Sequence, residues 1–269
     1  MRDPAVAGKF YPQDPEELTD TVKKYIETAE KGKEKVKAII VPHAGYVFSG
    51  KVAGLTYSGI EVPERVIIIG PNHTGRGEPV SVMRKGFWSL PGKKVEIAEK
   101  LASKILKNSR YAKEDKSAHL AEHSIEVQLP FLLYKNPELQ FVPICLGVSN
   151  DNVECLEELG EAIAQAVKTT PSDVLLVAST DMSHFVSKDR AREYDNMAIE
   201  KIKKMDYKGL LKTVVDNRIS MCGAGPVATV IKAALELDAS EIRFVHYNTS
   251  ARITGDNNRV VGYAGMRIK

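Results

Sequence analysis

Four short apolar runs, at residues 36–41, 66–69, 139–146 and 174–178, constrain this chain more than any other feature of its sequence. They are rich in Val and Ile and lack the alternating polarity of a strand with one wet face, so they read as strands buried on both sides. Such strands need helices above and below them, and amphipathic helical patterns separate the runs. Asp14 followed by Pro15-Glu16-Glu17 reads as a capped helix start, with Pro and acids in the first turn. Leu18, Val22, Tyr25 and Ile26 then share one helical face, and residues 96–106, 153–167 and 226–237 show the same period. The tail turns to two β-like segments, 241–250 and 259–268, around Thr254-Gly255-Asp256-Asn257-Asn258, as a hairpin or edge extension. The polar stretch 31–37 reads as a solvated loop. The pattern predicts a single α/β domain over residues 1–269, with a mostly parallel central sheet covered by helices.

Composition excludes several classes. Hydrophobic residues make up 43% and charged residues 27%, the balance of a globular chain rather than a disordered one. Lys plus Arg number 38 and Asp plus Glu 35, a net charge of +3. That is too small to argue for nucleic acid or an anionic membrane as partner. No apolar run approaches the ~20 residues of a membrane-spanning helix. Met1-Arg2-Asp3-Pro4 lacks the hydrophobic stretch of a secretory leader, so the expected location is the cytoplasm. Cys145, Cys155 and Cys222 form no CxxC pair, and an odd count closes no full disulfide framework. There is no phosphate-binding P-loop, no GxSxG and no GxGxxG.

The histidines carry the chemistry. Run 36–41 leads into Pro42-His43-Ala44-Gly45-Tyr46, run 66–69 into Gly70-Pro71-Asn72-His73, and run 174–178 into Ser179-Thr180-Asp181-Met182-Ser183-His184. In an open α/β sheet, ligands bind in the crevice beyond the carboxyl ends of the strands. A single loop histidine commonly caps a strand end by bonding main-chain carbonyls; three at equivalent places favour a shared site. Neutral imidazole suits zinc, copper, iron and nickel. Asp181, three residues before His184, either orients that ring for acid–base work or accepts N–H bonds at a helix start.

A rival motif is His119-Leu120-Ala121-Glu122-His123, the H-x-x-E-H pattern of the inverted zinc proteases, with Glu122 as base on a bound water. Against it, Pro130 follows soon after and no third acidic ligand presents itself; residues 122–129 also read as an ordinary amphipathic helix with Ile125 and Leu129 inward. Cys145 and Cys155 sit in apolar settings and read as packed thiols. Cys222 lies in the small-residue loop Ser220-Met221-Cys222-Gly223-Ala224-Gly225, which opens a helix. A helix amino terminus lowers a thiol pKa and favours thiolate, the metal-binding form; a small residue chosen for packing fits the same place.

Taken together, Pro42-His43-Ala44-Gly45-Tyr46, Gly70-Pro71-Asn72-His73, Glu122-His123-Ser124-Ile125-Glu126, Asp181-Met182-Ser183-His184 and Met221-Cys222-Gly223 resemble the Memo family. Its prokaryotic members are also called AmmeMemoRadiSam system protein B. The resemblance runs from Arg2-Asp3-Pro4-Ala5-Val6-Ala7-Gly8 to Gly262-Tyr263-Ala264. The family is similar in fold to the class III extradiol dioxygenases, which open catechol rings with non-haem iron(II). The resemblance implies His43, His73 and Cys222 as metal ligands, with Asp181 and His184 in the same pocket and His184 at the place of the dioxygenase acid–base histidine. His123 belongs to a matching motif and is a further catalytic candidate, whereas His119 falls outside it. The implied cofactor is iron(II) or copper, with zinc as a third option. The implied activity is redox or oxygenase-like, on a small-molecule or peptide ligand in the pocket. A thiol replaces the carboxylate of the dioxygenase triad, is softer and is oxidisable. The competing expectation is therefore a non-catalytic metal-, peptide- or partner-binding module.

Overall fold

The computed structural model describes residues 1–27 and 33–269. The chain forms α1 (Pro15–Glu27), β1 (Ala38–Val41), α2 (Tyr46–Ser58), β2 (Arg65–Pro71), β3 (Val80–Val82), β4 (Phe87–Leu90), β5 (Lys93–Ile97), α3 (Glu99–Asn108) and β6 (Lys113–Glu114). Two single 3₁₀ turns follow, Ser117–His119 and Glu126–Gln128, and then α4 (Leu129–Lys135), β7 (Gln140–Leu146), α5 (Val153–Lys168), β8 (Val174–Ser179) and β9 (His184–Val186). The chain closes with α6 (Lys188–Lys203), α7 (Tyr207–Asp216), α8 (Ala224–Glu236), β10 (Ile242–Thr249), α9 (Ala251–Thr254) and β11 (Val260–Ile268).

The four apolar runs form the middle of one sheet, in the order β1-β8-β2-β7, all parallel. Antiparallel strands extend it: β11 and then β10 beyond β1, and β3 beyond β7. Side chains alternate across the central strands, so each strand feeds two cores. Ile40, Ile67, Ile69 and Leu176 face α5 and α8, while Ile39, Ile68, Leu175 and Val177 face α1, α2 and α4. This explains why the runs show no polar alternation: both faces are dry.

The crossovers run in opposite directions. From β1 the chain passes through α2 to β2, over β8; from β7 it passes through α5 to β8, over β2. Right-handed crossovers in opposite directions put their helices on opposite faces of the sheet. The carboxyl ends of β1, β8 and β2 are left uncovered side by side, which is the switch point where open α/β sheets bind ligands.

Most expected elements form, with Asp14 capping α1 by accepting the Glu16 and Glu17 N–H groups. Two expectations fail. Residues 96–106 are not one helix: Glu96 and Ile97 pair with Gln140 and Phe141 of β7, and α3 begins at Glu99. Burial of Ile97 against the sheet outweighs its helical spacing. Residues 122–129 are not an amphipathic helix either. Glu122 and Glu126 turn their carboxylates onto loop N–H groups, and Pro130 is accepted because it falls in the first turn of α4. Ile125 and Leu129 are buried as the pattern required. Of the polar stretch 31–37, residues 31 and 32 lie outside the described residues, and beyond them Glu34 makes an isolated bridge to Ile60.

Candidate metal centre

His43 follows β1 by two residues and points its ring over the end of β8. Its main-chain N–H donates to Asp181 Oδ1 at 2.8 Å, and its Nδ1 lies 2.9 Å from Ser179 Oγ. The Ser179 hydroxyl donates to the Ser124 carbonyl at 2.7 Å, and Gln128 Nε2 donates to it at 2.9 Å. With its single proton already committed, Ser179 can only accept from His43 Nδ1–H. The lone pair of His43 is therefore on Nε2, and Nε2 lies 3.2 Å from Cys222 Sγ. Burial, reinforced by the neighbouring histidines, holds the His43 pKa well below its ordinary value, so the ring is neutral.

His73 follows β2 by two residues. Glu122 Oε1 accepts its Nδ1–H at 2.9 Å, which again leaves Nε2 as the free ring atom. Burial opposes a charge on this ring, but the hydrogen bond to Glu122 and the charges of Glu122 and Asp181 outweigh it and raise the His73 pKa. A third of its side-chain surface, 33%, stays open to solvent. The rings of His43 and His73 stand edge to face, 5.2 Å between centroids.

Cys222 arrives from the other side of the sheet, one residue before the Gly223 cap of α8. A Cβ at 223 would stand 2.5 Å from Thr180 Cβ and 2.6 Å from the Ser179 carbonyl oxygen, so only glycine lets the chain pass this close to β8. The thiol accepts the Asp181 N–H at 3.3 Å. The expected lowering of its pKa by the helix terminus does not occur: burial, with the Asp181 charge, pushes the thiol up. Among the described residues, His43, His73 and Cys222 bring their donor atoms within 4.8 Å of one another.

Asp181 and His184 are also at this crevice, but they are not bonded as expected. Asp181 accepts the main-chain N–H groups of His43 and Ala44 and caps no helix. Burial raises its pKa to about 6 against the opposing pull of those N–H groups and of His184. The His184 ring is oriented by Ser220 instead: its Nδ1 donates to the Ser220 carbonyl at 2.7 Å, and its main-chain N–H to Ser220 Oγ at 2.8 Å. Beside it, Phe185 is exposed and carries the Arg259 guanidinium 4.7 Å from its ring centroid.

His123 joins the cluster, its ring stacked 4.6 Å from His73 and edge to face 5.4 Å from His43, with Phe10 at 4.8 Å. His73, Glu122 and His123 form a second group of donors within 4.8 Å. Glu122 Oε1, however, already accepts from His73 Nδ1, His123 N and Ser124 N. Burial disfavours the charge on Glu122, yet the bond and charge of His73 and the Ser124 N–H prevail and hold its carboxyl down to about 2.

The zinc hydrolase reading of His119, Glu122 and His123 is overturned. His119 is fully buried, with Nε2 3.0 Å from Ser81 Oγ and its ring edge-on to Trp88, and it shares no donor group with His123. Without a helix through residues 119–123 the two imidazoles share no face, and Glu122 is committed to main-chain and His73 donors. Ser179, Ser220 and Gln128, which orient the rings, carry no motif in the sequence.

Comparison with known proteins agrees with these motifs. The family model described as "Memo-like protein" matches residues 2–267. A MEMO1 family protein of Aquifex aeolicus (strain VF5) is 43% identical over 267 residues, covering 99% of this chain and 98% of the relative. One of Methanopyrus kandleri is 39% identical, covering 98% of each. An uncharacterised protein from Escherichia coli K12 has a crystal structure that superimposes with a TM-score of 0.56 at 13% identity. That match covers 86% of this chain and 99% of the other, and shows a shared fold. With the motifs in order, the fold in common and the family model spanning nearly every residue, this chain belongs to the Memo family.

Proposed function

We propose that this protein holds one redox-active ion, iron(II) or copper, on His43 Nε2, His73 Nε2 and the Cys222 thiolate. It uses that ion in redox or oxygenase-like chemistry on a small-molecule or peptide ligand. The observation that carries the reading is the gathering of these three donors within 4.8 Å, with both Nδ1 atoms already engaged. Donors bound at about 2.0–2.3 Å around a tetrahedral ion lie roughly 3.3–3.8 Å apart, so the residues fit such a group after small adjustments. Two imidazoles with one thiolate make an intermediate donor set that suits copper, iron(II) and zinc, zinc being the redox-inert competitor. When bound, the ion supplies electron transfer and open coordination positions.

The surrounding residues hold and move protons. His184, with its Nδ1–H given to Ser220, keeps Nε2 as a proton acceptor. Asp181 holds the His43 loop in place by accepting the His43 and Ala44 main-chain N–H groups, and burial keeps its carboxyl above the ordinary carboxylate range. His123 is the second imidazole able to relay a proton. Phe185 and Arg259 offer an incoming ligand an aromatic face and a positive charge. A non-catalytic metal-binding role is the second reading, favoured by the thiol that stands where ring-cleaving dioxygenases use a carboxylate.

Anaerobic loading with iron(II) or copper(I) tests the centre. The expected result is one ion per chain in the wild type and a large loss in His43→Ala and Cys222→Ser. Equal stoichiometry in all three overturns the reading. Metal-dependent oxygen uptake with catechols or small phenols supports turnover, and none at full metal occupancy leaves the binding role.

A further inference from the structure

The loop that carries Glu122 and His123 is held by buried charges that the metal reading does not use. Arg2 is 1% exposed, and its guanidinium is committed to that loop. Nε donates to the His119 carbonyl, Nη2 to the Glu122 carbonyl and Nη1 to Glu126 Oε2, each at 2.6 Å. Its guanidinium carbon lies 3.9 Å from the centre of the Trp88 ring. Glu126 is likewise fully buried and accepts from the Ala5 and Val6 N–H groups and the Tyr11 hydroxyl. A buried ion pair is a weak source of stability, because desolvating each ion costs several kcal/mol that the attraction only roughly offsets. What this one supplies is geometry: two main-chain carbonyls three residues apart are pinned to one rigid fork.

The pinned loop ends on His73. Glu122 Oε2 accepts the His73 main-chain N–H at 2.6 Å while Oε1 accepts the ring Nδ1–H at 2.9 Å. One carboxylate thus fixes the backbone position and the ring rotation of the same residue. Close packing leaves the loop little room, since a Cβ on Gly70 at the end of β2 would stand 2.4 Å from Ser124 Oγ. The neighbouring main-chain N–H groups of His123 and Ser124 keep the carboxylate in place.

We infer that Glu122, seated by the Arg2–Glu126 clasp, is a positioning residue of the metal centre that turns His73 so that Nε2 faces the ion. The inference rests on the metal centre proposed above. A carboxylate on the far nitrogen of a ligating imidazole fixes its tautomer and raises its basicity, and losing it typically weakens metal affinity by about 10- to 100-fold. Arg2 and Glu126 reach the ion only through this chain of contacts.

Cobalt(II) titrated into the full-length chain without oxygen gives the test, with affinity, the visible ligand-field bands and the near-ultraviolet thiolate band as readouts. Glu122→Gln is expected to weaken cobalt binding by about 10- to 100-fold and to alter the visible bands while the thiolate band persists. Arg2→Lys keeps the charge, loses the fork and moves the same readouts in the same direction. The deciding measurement repeats both substitutions in a His73→Ala background, where neither costs further affinity because the residue they position is gone. Equal fold-losses in both backgrounds overturn the inference, since general loosening produces that result; so does unchanged affinity in Glu122→Gln. Should Glu122→Gln fail to fold, Arg2→Lys in the two backgrounds decides alone. If His43→Ala and Cys222→Ser bind cobalt as tightly as the wild type, the metal centre itself falls, a failure distinct from the other.

Discussion

Ser179 and Glu122 show how single side chains settle the chemistry of the site. Each takes the Nδ1–H of one imidazole and leaves Nε2 free, so two histidines on separate loops present the same atom. The contrast with His119 is instructive. Burial and the charge of Arg2 lower its pKa from 6.5 to about 4. In the unfolded chain it titrates at the ordinary value, so between these values the unfolded state binds more protons than the folded one. Its contribution to stability is whole above about pH 6.5 and is lost progressively as pH falls toward 4, by roughly 3 kcal/mol at most. Urea unfolding at pH 7.5 and 4.5 should therefore show a smaller acid loss for His119→Gln than for the wild type. An identical loss would mean that His119 is not the group responsible. The histidines at 43, 73 and 184 were legible as site candidates from their places after apolar runs. The partners that orient them were not, because a serine hydroxyl or a carbonyl becomes an orienting group only through neighbours brought from elsewhere in the chain.

At the level of elements, strand ends and helix starts deliver the ligands. The four central strands were readable because burial on both faces forces unbroken runs of Val and Ile, and α1 and α5 because one face of each is dry. The short strands β3–β6 and β9, and α2, buried nearly all round, left no such pattern. The segments 96–106 and 122–129 were misread for a common reason. Helical spacing of apolar residues reports only that some are buried, and a short strand or an irregular loop can bury the same ones. Gly223 is the element boundary on which Cys222 depends. Gly223→Ala would drive a methyl against Thr180 Cβ and the Ser179 carbonyl, neither of which is a flexible side-chain tip, so the start of α8 must move away from β8. The expected outcome is metal affinity weakened by about tenfold or more, read by cobalt titration, as for other displaced supports of a ligand. Undiminished affinity would show that the α8 start tolerates the shift without moving the thiol.

Across the whole molecule, the strand order β1-β8-β2-β7 is what makes a site out of separate loops. Metal binding to the folded state alone should stabilise the entire chain, by about 2.7 kcal/mol when free metal is 100 times Kd. For a chain of this size that raises Tm by roughly 5–10 °C. Calorimetry with and without a chelator measures it, and His43→Ala should abolish the difference; an equal shift in that variant would place the ion elsewhere. The amino-acid sequence by itself determined the layered α/β class, the buried strands and the family, because burial period and motif order are written along the chain. Only the tertiary structure decided which imidazoles share a neighbourhood, that His119 is excluded from it and that Ser220 rather than Asp181 holds His184. Those outcomes depend on crossover direction and on contacts between residues distant in sequence, and local spacing encodes neither.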